Sequence, residues 1–160
     1  MLEKLEPGAE LSECRTYRYA LWRIWDNNKP KVMFIGLNPS TADENTDDKT
    51  ITRCTNFAKS WGYGGFYMTN LFAYRSTDKS KLPLVENPIG DDNDLYIAKY
   101  AKLADKTVAA WGNDGVFLER SAIVSNLIAP LFCLEVNQTG EPKHPLYVSS
   151  DTTLKEYKRE

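Results

Sequence analysis

Asn38, Asn70 and His144 are the side chains of this chain whose chemistry suits a small polar ligand. Carboxamides and imidazoles both donate and accept hydrogen bonds. Asn38 closes the run Val32-Met33-Phe34-Ile35-Gly36-Leu37-Asn38-Pro39-Ser40, in which a continuous apolar stretch ends abruptly in polar residues. Pro39 fixes its own φ and pushes Asn38 toward an extended conformation. Gly36 lets a ligand or another backbone approach closely. A carboxamide held in that pose orients a water or bonds a ligand; the alternative is a tight turn that happens to hold Asn and Pro. Asn70 ends the apolar run that starts at Phe66, and its paired donor and acceptor match the edge of a nucleobase or satisfy neighbouring loops. His144 is the only histidine, stiffened by Pro145, and a lone loop histidine is otherwise simply solvated.

Other groups extend the set. Gly112-Asn113 at a strand-to-helix turn offers backbone N–H groups suited to a phosphate, or an ordinary helix cap. Phe72, Tyr74 and Trp111 could stack a base or fill the core. Asp43, Glu44, Asp47 and Asp48 follow the Asn38 loop. They would supply a water-activating carboxylate or hold Mg²⁺, or else act as solvated helix-capping charges. Arg53, Arg75 and Lys143 are candidate phosphate contacts that surface ion pairs would use equally well.

The elements that must position these groups follow from periodicity. Val32–Leu37, Phe66–Phe72, Thr107–Trp111 and Leu131–Val136 read as buried strands, and Arg15–Trp25 as an edge strand with Tyr17, Tyr19, Leu21 and Arg23 on one side. Helices are expected over about 49–60, 93–104 and 114–128, with Asp47 or Asp48 capping the first and Asp91, Asp92 or Asn93 the second. Residues 74–92 form a long polar connection, and Leu154–Glu160 a short surface helix. Strands alternating with helices predict an α/β fold, a three-layer α/β/α sandwich around a mainly parallel four-stranded sheet. In such sheets ligands bind at the carboxyl ends of the strands, where Asn38, Asn70, Gly112 and His144 would meet.

Composition bounds the function classes. The 160 residues suit one domain, with residues 1–13 and 150–160 peripheral. A net charge of −2 argues against a global-charge polyanion binder, so any nucleic-acid site is a local patch. Three dispersed cysteines, Cys14, Cys54 and Cys133, do not make a disulfide framework or a zinc site. No apolar run approaches the roughly 20 residues of a membrane span, and with no signal-peptide pattern the expected location is the cytoplasm.

In chain order, Gly36-Leu37-Asn38-Pro39, Thr69-Asn70, Ala110-Trp111-Gly112 and His144-Pro145 resemble the motifs of the uracil-DNA glycosylase superfamily. The first is most similar to the Gly-x-Asn-Pro version of its mismatch-specific branch. Over residues 15–148 the chain also resembles an uncharacterised family of short bacterial, archaeal and phage proteins. That likeness is carried by Leu37-Asn38-Pro39-Ser40-Thr41-Ala42-Asp43, Arg53-Cys54, Trp61-Gly62-Tyr63-Gly64, Asn70-Leu71-Phe72-Ala73 and Ala110-Trp111-Gly112. The superfamily resemblance implies that Asn38 holds a catalytic water and that Asn70 reads a base edge. It also implies that Trp111-Gly112 opens a helix and that His144-Pro145 enters the minor groove and steadies the leaving base.

The resulting expectation is a nucleobase- or nucleotide-recognising domain that hydrolyses the N-glycosidic bond of a modified or damaged nucleotide, in DNA or free. Asn38, Asp43 and His144 would be catalytic. Gly36, Leu37, Pro39, Ser40, Asn70, Phe72, Trp111, Gly112 and Asn113 would hold the base or nucleotide, and Arg53, Arg75 and Lys143 its phosphates. No metal or cofactor is expected; the partner is a nucleotide or nucleic acid, DNA before RNA, and the oligomeric state is open. Two alternatives stand beside this one. The first is a binding module without chemistry. The second is a metal-dependent phosphodiester hydrolase using Asp43, Asp47 and Asp48.

Overall fold

A computed structural model of the protein describes residues 7–159. Seven strands form one mixed sheet in the order β1-β2-β4-β3-β5-β6-β7. They are β1 (Gly8–Leu11), β2 (Arg18–Ile24), β3 (Val32–Gly36), β4 (Gly65–Asn70), β5 (Lys106–Ala109), β6 (Leu131–Cys133) and β7 (Lys155–Tyr157). The inner block β4-β3-β5-β6 is parallel throughout, and β1, β2 and β7 add to its sides in antiparallel fashion. The expected four-stranded sheet is therefore too small. Its four parallel strands are present, but three antiparallel strands extend them. Two of these, β1 and β7, have only 4 and 3 residues, too few to show a clear alternation. β7 also replaces the expected C-terminal helix, and β1 gives residues 8–11 of the expected peripheral segment a paired place in the sheet. Residues 1–6 and 160 lie outside the described residues.

Helix α1 (Lys49–Ser60) starts at Asp48, whose carboxylate accepts the Ile51 N–H at 2.9 Å. Helix α2 (Asn93–Leu103) lies close to its expected span. The expected helix over 114–128 divides. Asn113–Glu119 is a 3-10 segment, and only Arg120–Leu127 is regular helix, α3. Leu118 and Glu119 adopt φ of 52° and 58°, left-handed values that interrupt a right-handed helix. Within the 74–92 connection, Lys79–Leu84 forms a further 3-10 segment.

Side-chain alternation along the strands builds a core on each face. On one, Phe34, Phe66 and Met68 pack with Ile51, Cys54 and Phe57 of α1. On the other, Met33, Ile35 and Tyr67 pack with Ile97 and Tyr100 of α2 and Val124 of α3. The parallel strands are buried on both faces, which is why their sequences read as continuous apolar runs.

One irregularity breaks the alternation. Glu10 pairs with Ala20 but Leu11 with Arg18, so Tyr19 is an extra residue, a β-bulge in β2. Tyr19 stacks on Tyr96 of α2 at 5.0 Å, and the next residue, Ala20, faces the same core. Arg18 is thereby turned to the α1 face, where its Nη1 donates to the Ala42 carbonyl at 3.0 Å.

Candidate functional site

A cavity of about 760 Å³ opens at the carboxyl ends of the parallel strands. Segments far apart in sequence line it: the loop after β3, the end of β4, the turn after β5 and the loop after β6, together with the start of β2, the start of α1 and the connection after β4. Of the expected site residues, Gly36, Leu37, Asn38, Pro39, Ser40, Asn70, Trp111, Gly112, Asn113, Lys143 and His144 lie in its wall. Asp43, Phe72, Arg53 and Arg75 do not.

Asn38 is fixed by its own amide. Its Nδ2 donates to the Ser76 carbonyl at 2.9 Å and the Pro39 carbonyl at 3.1 Å. Both donors are thus spent on the loop, and the group left to meet a ligand is Oδ1, an acceptor. Such an acceptor can take a hydrogen bond from a water and so orient it. Asp43 is turned away from it: one carboxylate oxygen accepts the Asn45 and Thr46 N–H groups at 2.9 Å each, and the other faces Arg15 at 3.5 Å. These bonds hold the Asp43 carboxyl below its ordinary pKa, the Asn45 N–H contributing most. Asp47 pairs with Arg23 at 2.8 Å, and Asp48 caps α1. The three carboxylates serve three local structures and do not converge, and among the described residues no cluster of three or more acidic, histidine or cysteine groups could hold a metal ion.

Asn70 is 2% exposed on the α1 face, and its Nδ2 has no hydrogen-bond partner. It sits level with Gly36 across the β3–β4 pair. A Cβ on Gly36 would lie 2.7 Å from Asn70 Oδ1 and 2.8 Å from the Met68 methyl, so glycine is the residue that leaves the carboxamide room. Behind Asn70, the buried Asn93 donates to the carbonyls of Asn70 and Leu71 at 2.8 and 3.1 Å. Arg120 Nε donates to the same Leu71 carbonyl at 2.9 Å and pairs with Asp94 through its Nη atoms. The strand end is clamped from the far face.

The β5 turn and the His144 loop are joined directly. Gly112, at φ 78°, donates its N–H to the Pro142 carbonyl at 2.9 Å. That N–H is consequently spent within the protein and is not offered to a phosphate. Trp111 is 1% exposed, and its indole N–H donates to Glu141 at 2.9 Å. Its ring is a tether into the loop rather than an open stacking face. Phe72 is fully buried, 5.4 Å from the Phe117 ring. Asn113 Oδ1 accepts from Asn137 and Thr139 at 2.9 and 2.6 Å.

His144 Nδ1 accepts the Leu146 N–H at 3.1 Å. The neutral ring therefore carries its proton on Nε2, a donor available to a ligand. Burial, reinforced by Lys79, lowers the His144 pKa below its ordinary 6.5, so the neutral form persists at neutral pH. Arg53 holds this loop, donating to the carbonyls of Pro145, at 3.1 Å, and Val148. Arg75 holds the loop after β3 through the carbonyls of Ser40 and Thr41, at 3.4 and 3.3 Å. Lys143 lines the cavity and lies 3.5 Å from Glu135.

Sequence reasoning missed Arg18, Ser76 and Lys79, all in the cavity wall, where the candidate Asp48 also lies. Ser76 and Lys79 belong to the long 74–92 connection, whose length was the available signal. Arg18 left none, because its direction depends on the bulge.

Fold and site together define an α/β protein with one polar cavity at the carboxyl edge of its parallel strands. The chain belongs to the family described as "Protein of unknown function (DUF1643)", whose model matches residues 18–146. Neither the curated proteins nor the solved structures give a match to it.

Proposed function

We propose that the protein binds a nucleobase within a nucleotide or nucleic acid and hydrolyses the N-glycosidic bond that holds it. The observation that carries this reading is the meeting of Asn38, Asn70, Gly112 and His144, from four separate segments, around one cavity. Its volume of about 760 Å³ lies in the range typical of small-molecule sites. The order of the four motifs, which resembles that of the uracil-DNA glycosylase superfamily, supports the same reading.

Each role follows from what the side chain has left to offer. Asn38 Oδ1 accepts a hydrogen bond from the attacking water and aims its oxygen at the sugar carbon; as the new C–O bond forms and the C–N bond breaks, the water's surplus proton passes to bulk water. Asn70 presents its carboxamide to the edge of the base. Neutral His144 donates from Nε2 to the base as it takes up the electron pair of the breaking bond. The transition state has oxocarbenium character, and fixed dipoles in a partly closed site stabilise it without reorganising.

The test is incubation with nucleosides and single- and double-stranded oligonucleotides bearing deaminated, oxidised or alkylated bases, with released base detected by mass spectrometry. Release that falls 100-fold or more in Asn38→Ala and His144→Ala is the expected result, given the usual size of such contributions. Release unchanged in both variants removes the assigned roles, and no release from any substrate removes the hydrolysis.

A second reading, capture of the same ligand without chemistry, is favoured by one observation. Among the described residues the carboxylates around the cavity are already engaged: Asp43 is bonded into its own turn, Asp48 caps α1 and Asp78 accepts from Ser80. Ligand recovered intact after tight binding supports it.

A further inference from the structure

The deep wall of the cavity holds a charge that the proposed hydrolysis does not use. Arg18 is 2% exposed and lines the cavity, yet its Nε has no hydrogen-bond partner. Its Nη1 is spent on the Ala42 carbonyl. Among the described residues no carboxylate forms an ion pair with it. Asp48 lies in the same wall, but its oxygens accept the Ile51 N–H at 2.9 Å and the Ala42 N–H at 3.4 Å. Burial lowers the Arg18 pKa to about 10, so the guanidinium stays charged at neutral pH. Asp48 acts on this charge from the same wall without pairing with it, and burying a guanidinium with no direct ion pair costs several kcal/mol that proteins seldom leave unrepaid.

Its orientation is also built. Continuing the alternation of Ala20 and Trp22 would place residue 18 in the apolar core on the α2 face. The bulge at Tyr19 places it on the α1 face, the same face as Gly36, Met68 and Asn70. Bulges of this kind are found beside functional sites, where they re-aim a side chain. Arg18 and Asn70 stand on neighbouring strands, β2 and β4. Each directs a buried donor without a partner, Nε–H and Nδ2–H, and each lines the cavity. A ligand group that satisfies both must bring acceptors, and one that also offsets the guanidinium must bring negative charge.

We propose that the Arg18–Asn70 end of the cavity is an oxyanion subsite, so that the ligand is an acidic heterocycle or nucleotide that places a carboxylate or phosphate there. The carboxylate of a modified base and the phosphate of a nucleotide share this chemistry. The proposal rests on the base-binding reading of the cavity for the ring, but not on any hydrolysis.

Calorimetric titration of the whole chain with uracil, its 6-carboxylate orotate, uridine monophosphate and inorganic phosphate tests it. The wild type is expected to bind orotate or uridine monophosphate at least 10-fold more tightly than uracil, and Arg18→Gln to bring that ratio near one. Preference for orotate identifies a base carboxylate, and preference for the nucleotide and inorganic phosphate identifies a phosphate. Nitrogen-15 spectra of the wild type give a readout that no substitution can compromise. The Arg18 Nε–H signal, recognised by its absence in Arg18→Lys, should shift on adding the preferred anion. Equal affinity for uracil and orotate, with no response to the nucleotide or phosphate, overturns the proposal, as does anion binding that leaves the Nε–H signal in place. An anion bound through Arg18 by a protein that releases no base would leave this subsite standing while the hydrolysis fell. Uracil bound as tightly as orotate, and released from a substrate, would do the reverse.

Discussion

At the scale of single residues, the cavity is made of groups whose hydrogen bonds are already divided between scaffold and ligand. Asn38 gives its amide protons to the Ser76 and Pro39 carbonyls and keeps Oδ1. His144 gives Nδ1 to the Leu146 N–H and keeps Nε2. This division sets a pH dependence. The His144 pKa is lowered in the fold, so as pH falls below about 6.5 the unfolded chain takes up the proton first and stability declines. The decline ends once pH has passed through the lower, folded value. Ligand binding or turnover should fall over that lower range, below the midpoint of an ordinary histidine, and a pH profile compared with His144→Asn checks this. Cys14 offers an independent probe. The Thr16 and Ser12 hydroxyls hold its thiol at about 7, whereas burial pushes Cys54 far up. Iodoacetamide at pH 7 should therefore modify Cys14 and spare Cys54, as peptide mapping would show.

Individual elements position these residues through a few bonds each. Asp48 caps α1 and also accepts the Ala42 N–H, so it ties the helix start to the loop that carries Asn38. Asp48→Ala should lower stability by about 1 kcal/mol, the usual worth of an N-cap, measured by denaturant unfolding. Arg53 carries the His144 loop on two backbone carbonyls. Arg53→Met should weaken ligand binding while leaving α1 intact, seen as a changed Kd with unchanged helical circular dichroism. Gly36→Ala drives a methyl toward Asn70 Oδ1 and Met68. It should cost about 1–3 kcal/mol of stability, the usual range for overpacking, and displace the carboxamide. The helix α1 and the strands around Asn38 and Asn70 were legible in the sequence because they are apolar, periodic and capped. Arg18 was not. Reading Tyr17, Tyr19, Leu21 and Arg23 as one face assumes unbroken alternation, and the bulge places Tyr19 with Ala20 instead. Asn93 could be read as a capping residue, but its side chain turns inward to hold the end of β4. Sequence patterns register repetition; a single extra residue or a side chain aimed at a distant carbonyl has no repeat to betray it.

Across the whole molecule, the alternation of strands and helices predicts two layers of helix on a parallel sheet, and the two separate cores agree with it. The sheet is wider than expected because its outermost strands are too short to carry a pattern. The net charge of −2 gives no general attraction for a polyanion. Any oligonucleotide binding should therefore depend only weakly on salt, with a slope of log K against log salt of about −1 to −2, set by one or two local phosphate contacts. Fluorescence anisotropy over a salt series measures it, and a slope several times steeper would point to an extended basic track instead.

The bulge at Tyr19 makes the charge in the cavity a matter of counting as well as of residue identity. Were Tyr19 to join the ladder as an ordinary residue, the regular zigzag would swing the guanidinium to the opposite side; losing its codon instead would set Arg18 directly beside Ala20 and leave it facing the cavity. Such an in-frame deletion, which gives up the ring contact with Tyr96, should therefore harm anion binding less than Arg18→Gln does. Over evolutionary time, this stretch of the chain should give up its extra residue more readily than its arginine.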